Sequence, residues 1–427
     1  MKIYPATASE PYRIHLLLPQ FLTESIMRER LLELGSLPQF SRELRSFEHN
    51  EEGVIAQVLN PDGEETIRAR YLVGADGGHS FVRRALDIGF PGSALGRRSI
   101  VADVEIDGLS RSFWHRWNEA DKDRLVSLCP FPGTNLFQMH GPIPLESDVD
   151  LTAEGLSAFL AERTSRRDII VRSVSWASTF NMSQRLADRF RVGRVFIIGD
   201  AAHVHPPTGG QGLNTSVQDG YNLGWKLASV IKYGASEDLL DTYEMERRPV
   251  AANMIHLSTK LLEEAKRGEF RRGKEVQQLD VGYPTSSLTL TLKSSRRSCG
   301  RSTEEKQELE GVVRVVAGDR APDAPLRGAA GQLIRLFNLF QGPHWTLLGF
   351  EVKKEESKTV QSRPGLRIHH IGRDIEDYEG YFRLGYGVVE GDWVLVRPDG
   401  YIAAIVGDDG LPLLETYLDK VGLTVRR

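Results

Sequence analysis

Between Val195 and Thr215 the chain reads Val-Phe-Ile-Ile-Gly-Asp-Ala-Ala-His-Val-His-Pro-Pro-Thr-Gly-Gly-Gln-Gly-Leu-Asn-Thr. The opening apolar run predicts a short strand. Asp200 stands at its carboxyl end, a Pro-Pro/Gly-Gly loop follows, and then a helix. A strand–loop–helix corner of this kind aims backbone N–H groups at an anion over the helix N-terminus. The Asp accepts a hydrogen bond from a ribose or ribityl hydroxyl, and the glycines let a flat ring approach the backbone. For Gly199-Asp200 taken alone, an ordinary strand-to-helix connection is an equal alternative.

A second run, from Ile67 to Arg84, reads as an alternating strand ending in Asp76-Gly77-Gly78, then a helix capped near Ser80. Arg83 and Arg84 suit phosphate, because guanidinium forks bind phosphate oxygens bidentately; a solvated helical turn is the alternative. Leu18 to Gly35 reads as an amphipathic helix in which Phe21, Leu22, Ile26, Leu31, Leu32 and Leu34 make apolar contacts, with Gln20 near its start.

Together these runs resemble the flavoprotein aromatic hydroxylases, the class typified by para-hydroxybenzoate and phenol hydroxylases. The resemblance implies that Gly199 and Asp200 hold the flavin's ribityl–phosphate arm. It implies that Gly210, Gln211, Gly212, Leu213 and Asn214 lie along the isoalloxazine, and that Pro207, in Pro206-Pro207-Thr208, shapes the loop near the substrate. Asp76 and Gly77 would contact the flavin pyrophosphate and the nicotinamide coenzyme, and Gln20 the flavin. The implied activity is an FAD-dependent monooxygenase that uses NAD(P)H and O₂, through a flavin C4a-hydroperoxide, to hydroxylate a phenolic or polycyclic aromatic substrate. The run Tyr243 to Pro249 also resembles the family and reads as structural.

The family's Gly-x-Gly-x-x-Gly turn, which cradles the adenosine diphosphate half of the dinucleotide, has no counterpart in this sequence. Relative to the family pattern the first dinucleotide-binding unit is missing, which predicts open sheet edges and weak FAD binding. The alternative to an incomplete hydroxylase is a flavin-free relative, either a non-redox catalyst or a non-catalytic partner subunit.

The expected fold class is α/β and α+β: an N-terminally truncated FAD/NAD(P)-binding flavoprotein-hydroxylase fold with an antiparallel substrate sheet and a C-terminal thioredoxin-like domain. Residues 1–100 and 186–265 carry the flavin-binding parts. Residues 101–185 hold strands at Ser99–Ile106, Arg124–Cys129, Asn135–Met139 and Asp168–Val174, with a helix near 152–164. There Trp114, Phe131, Phe137 and Met139 suit an aromatic pocket, although each taken singly reads better as core. Residues 266–310 read as a flexible surface connection. Residues 311–427 resemble the thioredoxin-like domain of phenol-hydroxylase-type members, without a Cys pair, in a scaffolding or homodimer-contact role. A hairpin about Pro398-Asp-Gly is expected within it.

At 427 residues, 40% hydrophobic and 26% charged with net charge −4, the chain suits a globular cytoplasmic enzyme. It has no basic surplus for nucleic acid or a membrane surface and no apolar run long enough to span a bilayer. Cys129 and Cys299 form no metal or redox pair, so no metal is expected. His203 and His205 flank the loop; an imidazole there would assist phenol deprotonation, but the better reading is hydrogen-bonded loop support. Val217, Tyr221 and Leu227 recur at near-helical spacing and read as core. No catalytic residue is assigned.

Overall fold

The computed structural model describes residues 5–12, 16–121, 123–206, 210–266, 274–290, 314–353 and 360–425. After the helix α1 (Gln20–Glu33), an antiparallel meander runs through β1 (Glu43–His49), β2 (Val54–Asn60) and β3 (Gly63–Ala69). In β2 the period-two pattern buries Val54, Ala56 and Val58 on one face. The chain then enters β4 (Leu72–Gly74), which pairs in parallel with β11 (Val195–Ile197); β10 (Arg191–Val192) closes the other side of β11.

The segment between β4 and β10 starts with a short helix, α2 (Phe81–Ala85), and then builds most of a six-stranded sheet. Its strands are β5 (Gly92–Asp107), β6 (His115–Trp117), β7 (Val126–Pro130), β8 (Leu136–Ile143) and β9 (Ile170–Leu186), joined at the edge by β12 (His203–Val204) in the order β12-β9-β5-β8-β7-β6. Ile100, Ala102, Val104, Phe137 and Met139 alternate onto one face and pack under α3 (Ala153–Thr164). The Thr152 side chain caps α3 by accepting from Gly155 N at 3.2 Å. Ile100, Val104, Phe137 and Met139, fully buried, each contribute about 1.5–3 kcal/mol. Phe131, Phe137 and Met139 are core; Trp114, expected singly as core, is 64% exposed in the loop before β6.

Two long helices follow, α4 (Gly212–Tyr233) and α5 (Asp238–Lys266). The first ends where Gly234, at φ +72°, turns left-handed. The last part is a mixed seven-stranded sheet of β13 (Pro325–Gly328), β14 (Leu333–Arg335), β15 (Trp345–Phe350), β16 (Leu366–Ile371), β17 (Ile375–Glu376), β18 (Trp393–Val396) and β19 (Ile402–Val406), in the order β14-β13-β17-β16-β15-β18-β19. Helices α6 (Leu336–Phe340), α7 (Tyr381–Tyr386) and α8 (Leu411–Lys420) complete it. The hairpin β18–β19 turns at Pro398-Asp-Gly, but both its faces are buried, one against Trp345 and Leu414, the other against Leu326 and Phe382.

Two further expectations change. Helix α1 buries none of its residues: Phe21, Ile26, Leu31 and Leu32 are exposed, because no described element packs on its apolar side. Within the stretch expected as a flexible connection, residues 274–290 are packed: Val276, Val281, Tyr283 and Leu288 are buried, and Tyr283 meets Tyr401 with ring centroids 4.4 Å apart.

Candidate functional site

Because β4 and β11 run side by side in the same direction, Gly74 opposite Ile197, the loops that leave them emerge at one edge. The loop after β4 is Asp76-Gly77-Gly78. The one after β11 is Gly199-Asp200, in a short 3₁₀ turn. Ile198 N donates to Gly74 O at 3.0 Å, which extends the pairing to the mouths of both loops. Ligands of open parallel sheets sit at such carboxyl ends.

Each loop has a local cause. Asp76 Oδ2 accepts from Val82 N at 3.0 Å, and Ser80 Oγ from Arg83 N at 2.9 Å, so both cap α2. Gly199 is left-handed at φ +59°, and a Cβ there would lie 3.1 Å from the Ser216 side chain, so α4 approaches at glycine distance. Asp200 is exposed beside it. Gly210, at φ +70°, has open space where a Cβ would be, as does Gly77. At the start of α4 the bond from Thr215 N to Gln211 O, 3.0 Å, leaves the N–H groups of Gly212, Leu213 and Asn214 ahead of the helical ladder. Leu213 is 65% exposed there. The corner thus combines an exposed carboxylate, open glycine faces and helix-start donors, which suits a ligand that is hydroxylated along one part and flat and electron-rich along another.

Behind the loops lies a buried polar network. Asp219, on α4, accepts from Gly199 N at 3.1 Å, His203 Nε2 at 2.7 Å and Arg247 Nε at 2.7 Å. Burial alone pushes its carboxyl up, but the His203 hydrogen bond and the Arg247 charge hold it below the usual carboxylate range. Arg247 also donates to Gln218 Oε1, Tyr283 OH and Thr215 O. Tyr243 OH donates to Ile197 O at 2.9 Å. The run Tyr243 to Pro249 is therefore structural through a buried ion pair from α5 to α4, Arg247 with Asp219, which its sequence did not reveal.

Arg83 is not open to phosphate. Its guanidinium is buried, donates to Ala201 O and Gly78 O at 2.8 Å each, and lies 3.8 Å from the centre of the Phe90 ring. It ties the two loops together. Arg84 is exposed and donates to the carbonyls of its own helix start, Ser80 O and His79 O. Gln20 opens α1, exposed, with Nε2 on Glu24 Oε1 at 2.7 Å. Pro207 lies outside the described residues. His205 Nδ1 meets Pro206 O at 3.0 Å and Ser258 Oγ at 3.2 Å, a supporting position; burial lowers its imidazole pKa. Val217 and Tyr221 are 46% and 51% exposed and so are not core, because this stripe of α4 faces a cavity; Leu227 packs at the core margin. Among the described residues no group of His, Cys, Asp and Glu side chains is arranged to hold a metal ion.

Residues 5–258 match the FAD binding domain family. The chain is 38% identical over 422 residues to a flavin-dependent monooxygenase of Mycobacteroides abscessus, covering 98% of this chain and 80% of the relative. It is 30% identical over 435 residues to pentachlorophenol 4-monooxygenase of Sphingobium chlorophenolicum, covering 93% and 77%. Among solved structures, a ternary complex of aklavinone-11 hydroxylase with FAD and aklavinone matches with a TM-score of 0.80 at 27% identity, over 95% of this chain and 78% of that one. A corner built for a hydroxylated, flat ligand and these likenesses agree, and the chain belongs to the family of FAD-dependent aromatic monooxygenases.

Proposed function

We propose that the chain hydroxylates a phenolic or polycyclic aromatic substrate, using FAD, NAD(P)H and O₂. The observation that carries this reading is the convergence of the Asp76-Gly77 and Gly199-Asp200 loops at one edge of the parallel pair, tied by Arg83. When bound, FAD supplies the redox and oxygen chemistry. Asp200 would accept from the ribityl hydroxyls, and Asp76 and Gly77 would adjoin the pyrophosphate. Gly210, Gly212, Leu213 and Asn214 would flank the ring, with the α4 start offsetting negative charge at its edge. Gln20 and Pro207 complete the set proposed from the resemblance.

The substrate would lie under the six-stranded sheet, on the face opposite α3. That face carries Asp103, Gln138 and His140, residues set across from or beside one another on β5 and β8. His140 Nε2 lies 3.2 Å from Gln138 Oε1. Asp103 is buried, its carboxyl pKa raised by that burial, and its Oδ1 has no hydrogen-bond partner among the described residues. A buried unpaired acceptor rewards a substrate hydroxyl and penalises a ring that lacks one. The relatives' names, which include pentachlorophenol and aklavinone, support an aromatic substrate. No described helix is long and apolar enough to cross a membrane; a cytoplasmic location and a thioredoxin-like, dimer-forming C-terminal part belong to the same proposal.

The test is the absorption spectrum of the purified chain after addition of FAD and desalting, followed by NAD(P)H oxidation with phenols and polycyclic phenols. Retained flavin, together with substrate-stimulated oxidation and a product heavier by one oxygen atom, is the expected result. A folded chain that retains no flavin would overturn the proposal.

A further inference from the structure

Between α4 and the C-terminal sheet lies a cavity of about 920 Å³ that none of the roles above uses. The exposed stripe of α4 forms one wall; residues 276–283, α6 and the β18–β19 turn form the others. A chamber of that volume suits a drug-sized molecule. Much of the polarity in its wall is satisfied within the protein. Gln218 donates to Gln278 Oε1 at 2.6 Å and accepts from Arg247 at 3.2 Å. Asn222 donates to Glu246 Oε2 at 2.8 Å and accepts from Lys226 Nζ at 2.7 Å. Asn338 Oδ1 accepts from Arg335 N, and Asn214 Nδ2 donates to Gly210 O. Tyr221 OH donates to Pro398 O at 2.8 Å, and Tyr283 OH accepts from Arg247 at 2.9 Å. These tyrosines therefore offer an occupant their ring faces and edges, with Phe337 and Phe340 beside them. A flat apolar body is matched there, whereas a ligand dense in hydrogen-bonding groups would leave them without partners.

The charge inside is one-sided. Of the described lining residues only Arg320 and Asp399 are charged. The Asp399 carboxylate accepts from Arg397 Nε and from Trp225 Nε1, at 2.9 Å each. The Arg320 guanidinium has no hydrogen bond or ion pair with the described residues; it lies over the Phe337 ring, 5.2 Å from the centroid. Asp323, the carboxylate that acts on it electrostatically, is committed to Arg335 and to the N–H groups of Ala324 and Phe337. Arg320 is half-buried. A cation partly withdrawn from water and lacking a counter-ion favours an anion, and its planar fork matches a carboxylate bidentately.

We propose that this cavity is a second small-molecule site and takes a polycyclic aromatic carboxylate, its acid on the Arg320 fork and its rings against Phe337 and the tyrosines. Charge separates it from the two sites described above. The flavin corner exposes Asp200, and the sheet face proposed for the phenolic substrate holds the buried carboxyl of Asp103. Either would oppose an anionic ligand that Arg320 attracts. The site stands whether or not the hydroxylase reading holds.

The experiment is calorimetric titration of the full chain with 2-naphthoate and, separately, with its neutral counterpart 2-naphthalenemethanol, each in the presence and absence of FAD. The acid should bind saturably in both conditions and about tenfold or more tighter than the alcohol, the worth of one charged hydrogen bond. Arg320→Gln should erase that preference at unchanged Tm. Arg320→Lys, which keeps the charge but not the fork, should fall between, and it serves if Arg320→Gln folds poorly. Phe337→Leu should weaken acid and alcohol alike. Absence of saturable binding, equal binding of acid and alcohol, or a preference that Arg320→Gln leaves intact overturns the site. Oxidation of 2-naphthoate by the FAD-loaded chain with NADPH would place it in the substrate site and overturn the proposal as well. Because the titration reads binding without turnover, its failure is separable from failure of the hydroxylase proposal.

Discussion

Asp219 holds the backbone N–H of Gly199 at 3.1 Å from a position with no solvent exposure. The loop that presents Asp200 is therefore fixed from behind by an anion that itself needs His203 and Arg247. Asp219→Asn keeps the shape but leaves the Arg247 charge buried without its carboxylate. Loss of about 3–5 kcal/mol is expected, the usual effect of breaking a buried pair, read by urea denaturation. A variant as stable as the parent would show that the network does not hold the loop.

Asp200→Ala should behave in the opposite way. The side chain is exposed, so stability should change by less than about 0.5 kcal/mol. Flavin retention after desalting should disappear, and with it the Tm increase on adding FAD. Full flavin occupancy in this variant would mean that the flavin arm lies elsewhere.

A second buried cluster sets a pH dependence. Lys226 Nζ meets Glu246 Oε2 at 2.7 Å, and Arg397 reaches both Glu246 oxygens at 2.7 and 2.8 Å, joining α4 and α5 to the β18–β19 turn. Burial lowers the Lys226 ammonium from 10.5 to about 8, against the opposing charge of Glu246. Between those values the unfolded chain binds the extra proton, so stability rises with pH across that window. Relative to Lys226→Met, the wild-type chain should gain stability from pH 8 to pH 10.5; a constant difference in urea midpoints would refute this. Glu246 behaves with the other sign. Arg397 and Lys226 outweigh the upward push of burial and hold its carboxyl far below the usual range. Its contribution is complete above the ordinary value of 4.5 and is lost as the pH falls toward the folded one.

Gly74 is a packing glycine. A Cβ there would lie 2.7 Å from Val82 Cβ, where β4 meets α2. Gly74→Ala should destabilise by about 1–3 kcal/mol through overpacking. Combining it with Val82→Ala should be less damaging than the sum of the two single changes. Additive losses in thermal denaturation would place the clash elsewhere.

The loops were readable because glycine and serine act locally: Gly199 is free to turn left-handed, and Ser80 caps the helix that follows it. The strands of the six-stranded sheet were readable from alternation at Ile100, Ala102 and Val104. What partners a charge was not. Asp219 meets a histidine 16 residues before it and an arginine 28 residues after it, and only tertiary packing brings them together. Arg83 looked like a phosphate ligand for the same reason, since its carbonyl partner at Ala201 is 118 residues away. The Val217–Tyr221 stripe has core-like spacing because periodicity identifies a face without saying whether that face meets protein or a cavity.

The parallel pairing of β4 with β11 has an architectural consequence. Everything from α2 to β9 is an excursion between two adjacent strands, and its long strands begin and end opposite each other, Gly92 against Arg185. An insertion whose ends meet can change length, curvature or lining without moving the strands it leaves from, since added loop length carries little closure penalty. Under the proposed assignment of cofactor to the corner and substrate to the sheet, the same corner would serve differently shaped roofs, so that substrate range diversifies by exchange of this excursion.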